Sequence, residues 1–387
     1  MGIKRKIMDF TKWVAAWGTA TSITDRKECV YAKNLTLRYP LHMAFDGSKI
    51  RLRFSNLTGT EEVVLSKVYV SLDSKNDFIP VTKDGSSEIR LLPGQELTSD
   101  EISFEVHRGE KLIVSIYLSG CTQMNAGTLV TGPLSGGSYA YGDFAATKDF
   151  PADLTRNTSW YYFLNTVDVL TAEENQALCC YGDSITAQDW PDFLQLELEH
   201  RGIHNVSVIR RAVCGTRILR QYDCITYQAY GLKGETRFPI EAKVSGCKTV
   251  IIQHGINDII HPVGVEVNPF RPMSDMPTTE DLCRGVKDLY LSWCREHNLK
   301  AVLGTLLPIN GWRTFAPFRE EIRNEFNEWI RTTSEADGFI DFDKAVRDEK
   351  SPGNFAQGFD SGDHLHPSKE AYKAMAHAAA EYVINNL

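Results

Sequence analysis

Long apolar runs are missing from this chain of 387 residues: none approaches the roughly 18 consecutive apolar residues that a membrane-spanning helix needs. Positive charge is also in short supply. Lys and Arg number 42 against 50 Asp and Glu, a net charge of −8, and both nucleic acids and anionic membranes favour a basic face, so neither is an expected partner. Paired Cys-x-x-Cys spacing is absent, and with it the usual zinc signature, so no metal is expected. The basic start Met1–Lys6 is not followed by the apolar segment of a signal peptide, because Asp9, Thr11 and Lys12 interrupt it and no small-residue cleavage site follows. Nine cysteines form an odd set without framework spacing, and Cys179 and Cys180 are adjacent inside an apolar run. The expectation is reduced thiols and a cytoplasmic protein. Repeats and low-complexity tracts are absent too.

What is present is an ordinary globular composition, 42% hydrophobic and 24% charged, with enough length for two domains. From about Lys33 to Leu118 the hydrophobic period is two. Leu35, Leu37 and Tyr39 alternate with polar neighbours, as do Ile50, Leu52 and Phe54, then Val68, Val70 and Leu72, then Leu112, Val114, Ile116 and Leu118. Turn signals such as Asp46-Gly47, Asp84-Gly85 and Pro93-Gly94 separate them, which predicts an antiparallel β-sandwich over residues 1–173. Ser159–Leu170 reads as its last extended segment, Thr171–Gln176 as a polar junction, and Arg51 and Arg53 as the solvated face of a strand.

Residues 174–387 change to strands alternating with helices, the pattern of a parallel sheet covered on both faces. Strands are predicted at Ala177–Tyr181, Val206–Arg211, Thr249–Gln253, Ala301–Leu307 and Gly338–Phe342. Helices are predicted at Asp189–His200 and Glu280–His297, around Phe318–Ile330, and from about Pro367 to the end.

The stretch Cys180-Tyr181-Gly182-Asp183-Ser184 puts a hydroxyl at the carboxyl end of a buried strand, where open α/β sheets place their chemistry. A serine is a poor nucleophile until a base takes its proton and a third group holds that base. The loops after later strands supply candidates. Gly215 lets a backbone N–H approach a substrate oxygen, Asn257 offers a side-chain amide to an oxyanion, and Asp363 stands three residues before His366, where it can orient the imidazole.

These four segments, Gly182-Asp183-Ser184-Ile185-Thr186, Gly215, Gly255-Ile256-Asn257-Asp258 and Asp363-His364-Leu365-His366, resemble in this order the four blocks of the SGNH (GDSL-type) hydrolase superfamily. The resemblance runs from about residue 175 to the C-terminus. It implies a flavodoxin-like three-layer α/β/α fold, no cofactor, Ser184 as nucleophile, His366 as general acid/base and Asp363 as its orienter. The oxyanion hole would consist of the Ser184 N–H, the Gly215 N–H and the Asn257 side chain. The first domain, through Trp13–Gly18, Ile50–Asn56, Pro93-Gly94 and Leu112–Leu118, is similar to the jelly-roll-like β-sandwich of some two-domain members, which include carbohydrate esterases and a few acyltransferases. Thr186 stands where the G-x-S-x-G elbow of the α/β-hydrolases needs a second glycine, so that family is rejected.

Each residue has a plainer reading when taken alone. Gly-Asp-Ser is an ordinary turn, Asn257 and Gly215 are turn formers, and His366 is a polar residue before a helix. Their order and placement at strand ends make the case. His364 competes with His366 for the role of base. His254, Asp183 and Arg217 are candidate substrate contacts, with Tyr222, Trp190 and His261 near the same loops. The expected function is a serine esterase that removes a small acyl group, such as acetyl, from a carbohydrate or other polar small molecule, so that the partner is a small-molecule or glycan ester. An acyltransferase with the same triad, a lipase-like acylhydrolase and a non-enzymatic glycan-binding protein are the alternatives.

Overall fold

A computed structural model describes residues 10–23, 30–221 and 230–386. The basic start Met1–Lys6, Asp9 and Tyr222 lie outside the described residues. The first 171 residues hold two main antiparallel sheets. One places the strands Lys12–Gly18, Leu164–Thr171, Gly47–Ser55 and Glu96–Thr98 side by side, with Ile102–Val106 also on Gly47–Ser55. The other runs Arg156–Thr158, Gly137–Tyr141, Leu35–His42, Lys111–Leu118, Lys67–Leu72, Ile79–Pro80. The alternation read from the sequence is the alternation of burial. Leu37, Tyr39, Leu41, Leu112, Val114, Ile116, Ile50, Leu52 and Phe54 are all buried in the shared core. A strand at Lys12–Gly18 was not predicted. It pairs with Leu164–Thr171, so the beginning and the end of this region lie together.

The chain turns at Ala172–Asn175, where the Asn175 N–H donates to Ala172 O at 3.2 Å, and enters a sheet of five parallel strands. These are β1 (Gln176–Gly182), β2 (Val206–Ala212), β3 (Cys247–Gln253), β4 (Lys300–Gly304) and β5 (Gly338–Ile340), in the order β2-β1-β3-β4-β5. That order is flavodoxin-like, with its switch point at β1/β3. Right-handed crossovers then put the helix after β1 on one face and those after β2, β3 and β4 on the other. The helices are α1 (Ser184–Ala187), α2 (Trp190–His200), α3 (Gly234–Glu241), α4 (Ile256–Ile260), α5 (Thr279–Gly285), α6 (Ser292–Glu296), α7 (Pro317–Thr332), α8 (Phe342–Val346) and α9 (Lys369–Asn386).

Several boundaries differ from the sequence reading for local reasons. The predicted helix Glu280–His297 is continuous, but Val286–Leu291 between α5 and α6 is a π-helical turn. β5 ends at Ile340, because the Asp341 side chain accepts the Lys344 N–H and starts α8. Pro367 does not sit in the first turn of the last helix. It bridges to Asp360, and Ser368 takes the cap position, receiving the Ala371 N–H on its hydroxyl at 3.3 Å. The helix α3 was missed, since Pro239 inside it weakens the helical pattern.

The two regions meet over a buried polar seam. Arg211, fully buried on β2, donates to Asn165 O at 3.1 Å, to Thr166 Oγ1 at 2.7 Å and to Thr19 O. The Ser207 hydroxyl donates to Ala15 O at 2.5 Å, and the Ala15 N–H to Ser245 O at 2.9 Å. Arg51 and Arg53 belong to this side rather than to a solvated face. Arg51 pairs with Asp168 at 2.9 Å beneath the Trp13 ring, and Arg53 reaches Lys243 O at 3.4 Å.

Candidate active site

β1 ends in Gly182, where any Cβ would collide with Gln253 O and the Thr186 hydroxyl, so β1 and β3 can close on each other only over a glycine. Asp183 follows as the cap of α1 and accepts the Ile185 N–H at 3.0 Å, which leaves Ser184 as the first helical residue, 9% exposed. Burial pushes the Asp183 carboxyl up to about 7, in spite of that hydrogen bond and the nearby Arg237.

The base arrives from the loop before α9. Asp363 Oδ1 accepts the backbone N–H groups of Leu365 at 3.0 Å and His366 at 2.8 Å, while its Oδ2 lies 2.6 Å from His366 Nδ1. His366 Nε2 lies 2.9 Å from Ser184 Oγ. A carboxylate can only accept, so Nδ1 carries the hydrogen and Nε2 of the neutral ring faces the serine with its lone pair. Burial alone would raise the Asp363 carboxyl, but its bonds from the His366 ring and the two backbone N–H groups outweigh that and hold it below the usual carboxylate range. His364 does not reach the serine. It adopts φ 63° and pairs through Nδ1 with Asp360 at 2.5 Å.

Two further loops converge on the nucleophile turn. The Val213 N–H donates to Gly182 O at 3.2 Å and brings in the Ala212–Thr216 segment, where Gly215 has φ 74°. Among the described residues neither the Ser184 nor the Gly215 N–H has an acceptor. Gly255, at φ 126°, opens α4 and presents Asn257, 3% exposed, whose Nδ2 donates to Thr216 O at 3.1 Å. An amide nitrogen carries two hydrogens, so one remains for another acceptor. Asp258 receives the N–H groups of Ile218 at 2.7 Å and Leu219 at 3.0 Å, and burial still raises its carboxyl to about 6.

The candidate substrate contacts fare differently. His254 is 3% exposed with both ring nitrogens occupied, Nε2 by Thr216 Oγ1 at 3.1 Å and Nδ1 by Tyr290 OH at 2.8 Å, so it packs the end of β3 instead of facing a ligand. Burial, aided by Arg237, lowers its pKa to about 3 and keeps it neutral. Arg217 is 2% exposed and pairs with Asp275 at 3.5 Å, and Asp183 is 1% exposed and capping, so neither offers a surface to substrate. Trp190 is buried against Phe342 at 5.2 Å, and His261 stacks on Tyr230 at 5.6 Å.

Three groups at the site escaped the sequence reading. The half-buried Tyr230 ring lies against Gly215, filling the space a Cβ would need. Thr216 is the hydroxyl on which several partners meet, and Arg237 of α3 is one of them. The Arg237–Glu241 spacing, acid four residues after base on a helix, was the available signal. Among the described residues no cluster of three or more His, Cys, Asp or Glu could hold a metal ion.

Residues 180–374 match the model of the GDSL-like lipase/acylhydrolase family. No curated protein matches the chain. Similar solved structures include an acetylxylan esterase from Geobacillus stearothermophilus, at 15% identity over 54% of this chain and 94% of that one, with a TM-score of 0.39. The enzyme LAE5 from the metagenome of Lake Arreo, Spain, shows 15% identity over 55% and 97%, with a TM-score of 0.40. The acetyl xylan esterase AlAXEase shows 20% identity over 54% and 99%, with a TM-score of 0.36.

Proposed function

Because the chain belongs to the GDSL-like lipase/acylhydrolase family, we propose that it is a serine esterase working through an acyl-enzyme on Ser184 and that it removes small acyl groups from a polar alcohol such as a carbohydrate. The observation that carries the reading is the unbroken line Ser184 Oγ, His366 Nε2, His366 Nδ1, Asp363 Oδ2, with steps of 2.9 Å and 2.6 Å.

His366 Nε2 takes the hydroxyl proton as Ser184 Oγ bonds to the acyl carbon, and the carbonyl π electrons move onto oxygen. The Ser184 N–H, the Gly215 N–H and the second Asn257 amide hydrogen are the donors for that oxyanion. Collapse breaks the ester C–O bond, and His366 returns the proton to the leaving alcohol. Water then enters by the same route, giving one proton to His366 and bonding its oxygen to the acyl carbon. Collapse breaks the bond from that carbon to Ser184 Oγ, His366 returns the proton to Oγ, and the acid leaves. Asp363 keeps its charge throughout and stabilises the imidazolium between the two transfers.

The small acyl group is the reading favoured by the Tyr230 ring, which packs against Gly215 beside one of the proposed oxyanion donors. The polar alcohol is suggested by the strand-rich region that adjoins α1. Thr131 donates its N–H to Ala187 O at 3.3 Å, at the end of α1, and nearby strands present the stacked, half-exposed pair Trp160 and Tyr162 at 6.0 Å.

The test is release of nitrophenol from acetyl and long-chain esters, and of acetate from acetylated oligosaccharides. Wild type is expected to prefer acetyl, and Ser184→Ala to lose about 10⁴-fold or more in kcat. Activity that survives this substitution overturns the nucleophile assignment.

A further inference from the structure

Arg237 and Thr216 lie outside the proton-transfer line, yet their hydrogen bonds join every segment that presents a donor to the proposed oxyanion. A guanidinium has five N–H donors, and here each has an acceptor. Nε donates to Glu241 Oε1 at 3.3 Å. One terminal nitrogen donates to Gly182 O at 3.4 Å and to Thr216 Oγ1 at 2.8 Å. The other donates to Arg211 O at 3.3 Å and to Glu241 Oε2 at 2.7 Å. Gly182 ends β1, two residues before the nucleophile. Arg211 belongs to the last turn of chain in β2, and Thr216 follows Gly215 directly. One buried side chain, 2% exposed, therefore ties together the ends of two neighbouring strands and the glycine loop.

Thr216 completes the connection to the third donor. Its hydroxyl donates to Val213 O at 2.9 Å, so its lone pairs accept from Arg237 and from His254 Nε2 at 3.1 Å. Because Nε2 of His254 must then carry the hydrogen, Nδ1 accepts from Tyr290 OH at 2.8 Å. The directions run without conflict from Tyr290 through His254 and Thr216 to Val213. The backbone oxygen of the same threonine accepts one amide hydrogen of Asn257 at 3.1 Å, which fixes the amide plane and aims the other hydrogen.

We infer that Arg237, acting through the Thr216 hydroxyl, is the positioning residue of the oxyanion hole: it sets the spacing of Ser184, Gly215 and Asn257 without touching substrate. This rests on the serine esterase reading above. Preorganised donors are effective because they need no rearrangement as charge develops. A displacement of about 1 Å in such a site can cost about 10²-fold. Glu241 serves the same end: it compensates the buried charge and keeps the guanidinium from turning.

The hydroxyl can be removed with little change of shape. Thr216→Val is expected to lower kcat for nitrophenyl acetate about 10- to 100-fold, with KM within about twofold because the ground-state ester gains little from the hole. Arg237→Lys should show the same split, since three donors on a flexible stem cannot reach these acceptors. The decisive measurement is a double-mutant cycle. In an Asn257→Ala background, Thr216→Val should cost clearly less than it does in wild type, because one of the three donors it positions is gone. An undiminished loss in that background, or a rise in KM with kcat unchanged, overturns the assignment. Ser184→Ala in the same assay reports on the esterase reading itself. A Thr216→Val enzyme at wild-type kcat beside an inactive Ser184→Ala enzyme would defeat the positioning role alone.

Discussion

The loop that carries Asp363 and His366 is held almost entirely by its own residues, whereas the segments around Gly182, Gly215 and Asn257 are held by partners far away in the chain. On the first side, Asp360 serves Gly362 and His364, and Asp363 serves Leu365 and His366, all within four residues. The side chains stay open to water, with Asp363 42% and His366 23% exposed. On the second side, Thr216, Arg237, His254 and Asn257 are each at most 3% exposed and are linked across the sheet. The difference separates two tasks. A group that shuttles protons is served by a small self-contained loop near solvent. A cradle for developing charge is served by fixed dipoles in a medium of low polarisability.

The largest effect that probes this contrast is expected at Asp363. In Asp363→Asn the side-chain oxygen can keep the backbone N–H bonds, but an amide nitrogen facing His366 Nδ1 favours the wrong tautomer. The kcat should fall about 10³- to 10⁴-fold, with the melting temperature within a few degrees of wild type because the loop holds itself. A melting temperature that collapses with activity would show that the loop is not self-contained. Next comes Asn257→Ala, which removes an oxyanion donor and the bond to Thr216 O. Here kcat should drop about 10²- to 10³-fold, accompanied by a measurable loss of stability, since the buried Thr216 oxygen is left without that partner. Equal stability in the two variants would erase the distinction between the two sides.

The smallest effect is in stability alone. Asp183 has its folded pKa raised by burial to about 7 from 3.8, so the native state binds more protons than the unfolded chain between those values. Its favourable contribution is complete below about pH 4 and is lost as pH rises through 7. Asp183→Asn keeps the acceptor for the Ile185 N–H without the charge. Its melting temperature should exceed that of wild type above pH 7, and the gap should narrow steadily as pH falls below 7 and close near pH 4. A gap that is constant with pH would mean that burial of the charge is not what the substitution relieves.

The sequence was most informative where structure is made locally. The alternation at Leu35–Tyr39 and at Leu112–Leu118 reports which face of a strand is buried, and Asp363 with His366 form a pair whose members are three residues apart. Ser184 and Asn257 could be singled out because each stands just after a strand and carries the needed atom. Arg237 and Tyr230 could not, because what defines them is the neighbour across the fold: Gly182, Arg211 and Thr216 for one, Gly215 for the other. His254 stays undecided in the sequence for the same reason. Its position after β3 suits a ligand contact and a strand-end packing residue equally, and only Tyr290, 36 residues further on, reveals why the ring turns inward. The strand Lys12–Gly18 went unpredicted since its apolar and small residues are buried on both sides, one of them facing β2.

The seam at Arg211 bears on how the chain assembles as it is made. Its cation is received by Thr19, Asn165 and Thr166, all of which leave the ribosome before it does. Every acceptor of this buried cation is thus supplied by a region made before β2, and a chain that lacks residues 10–171 has none of those acceptors for Arg211.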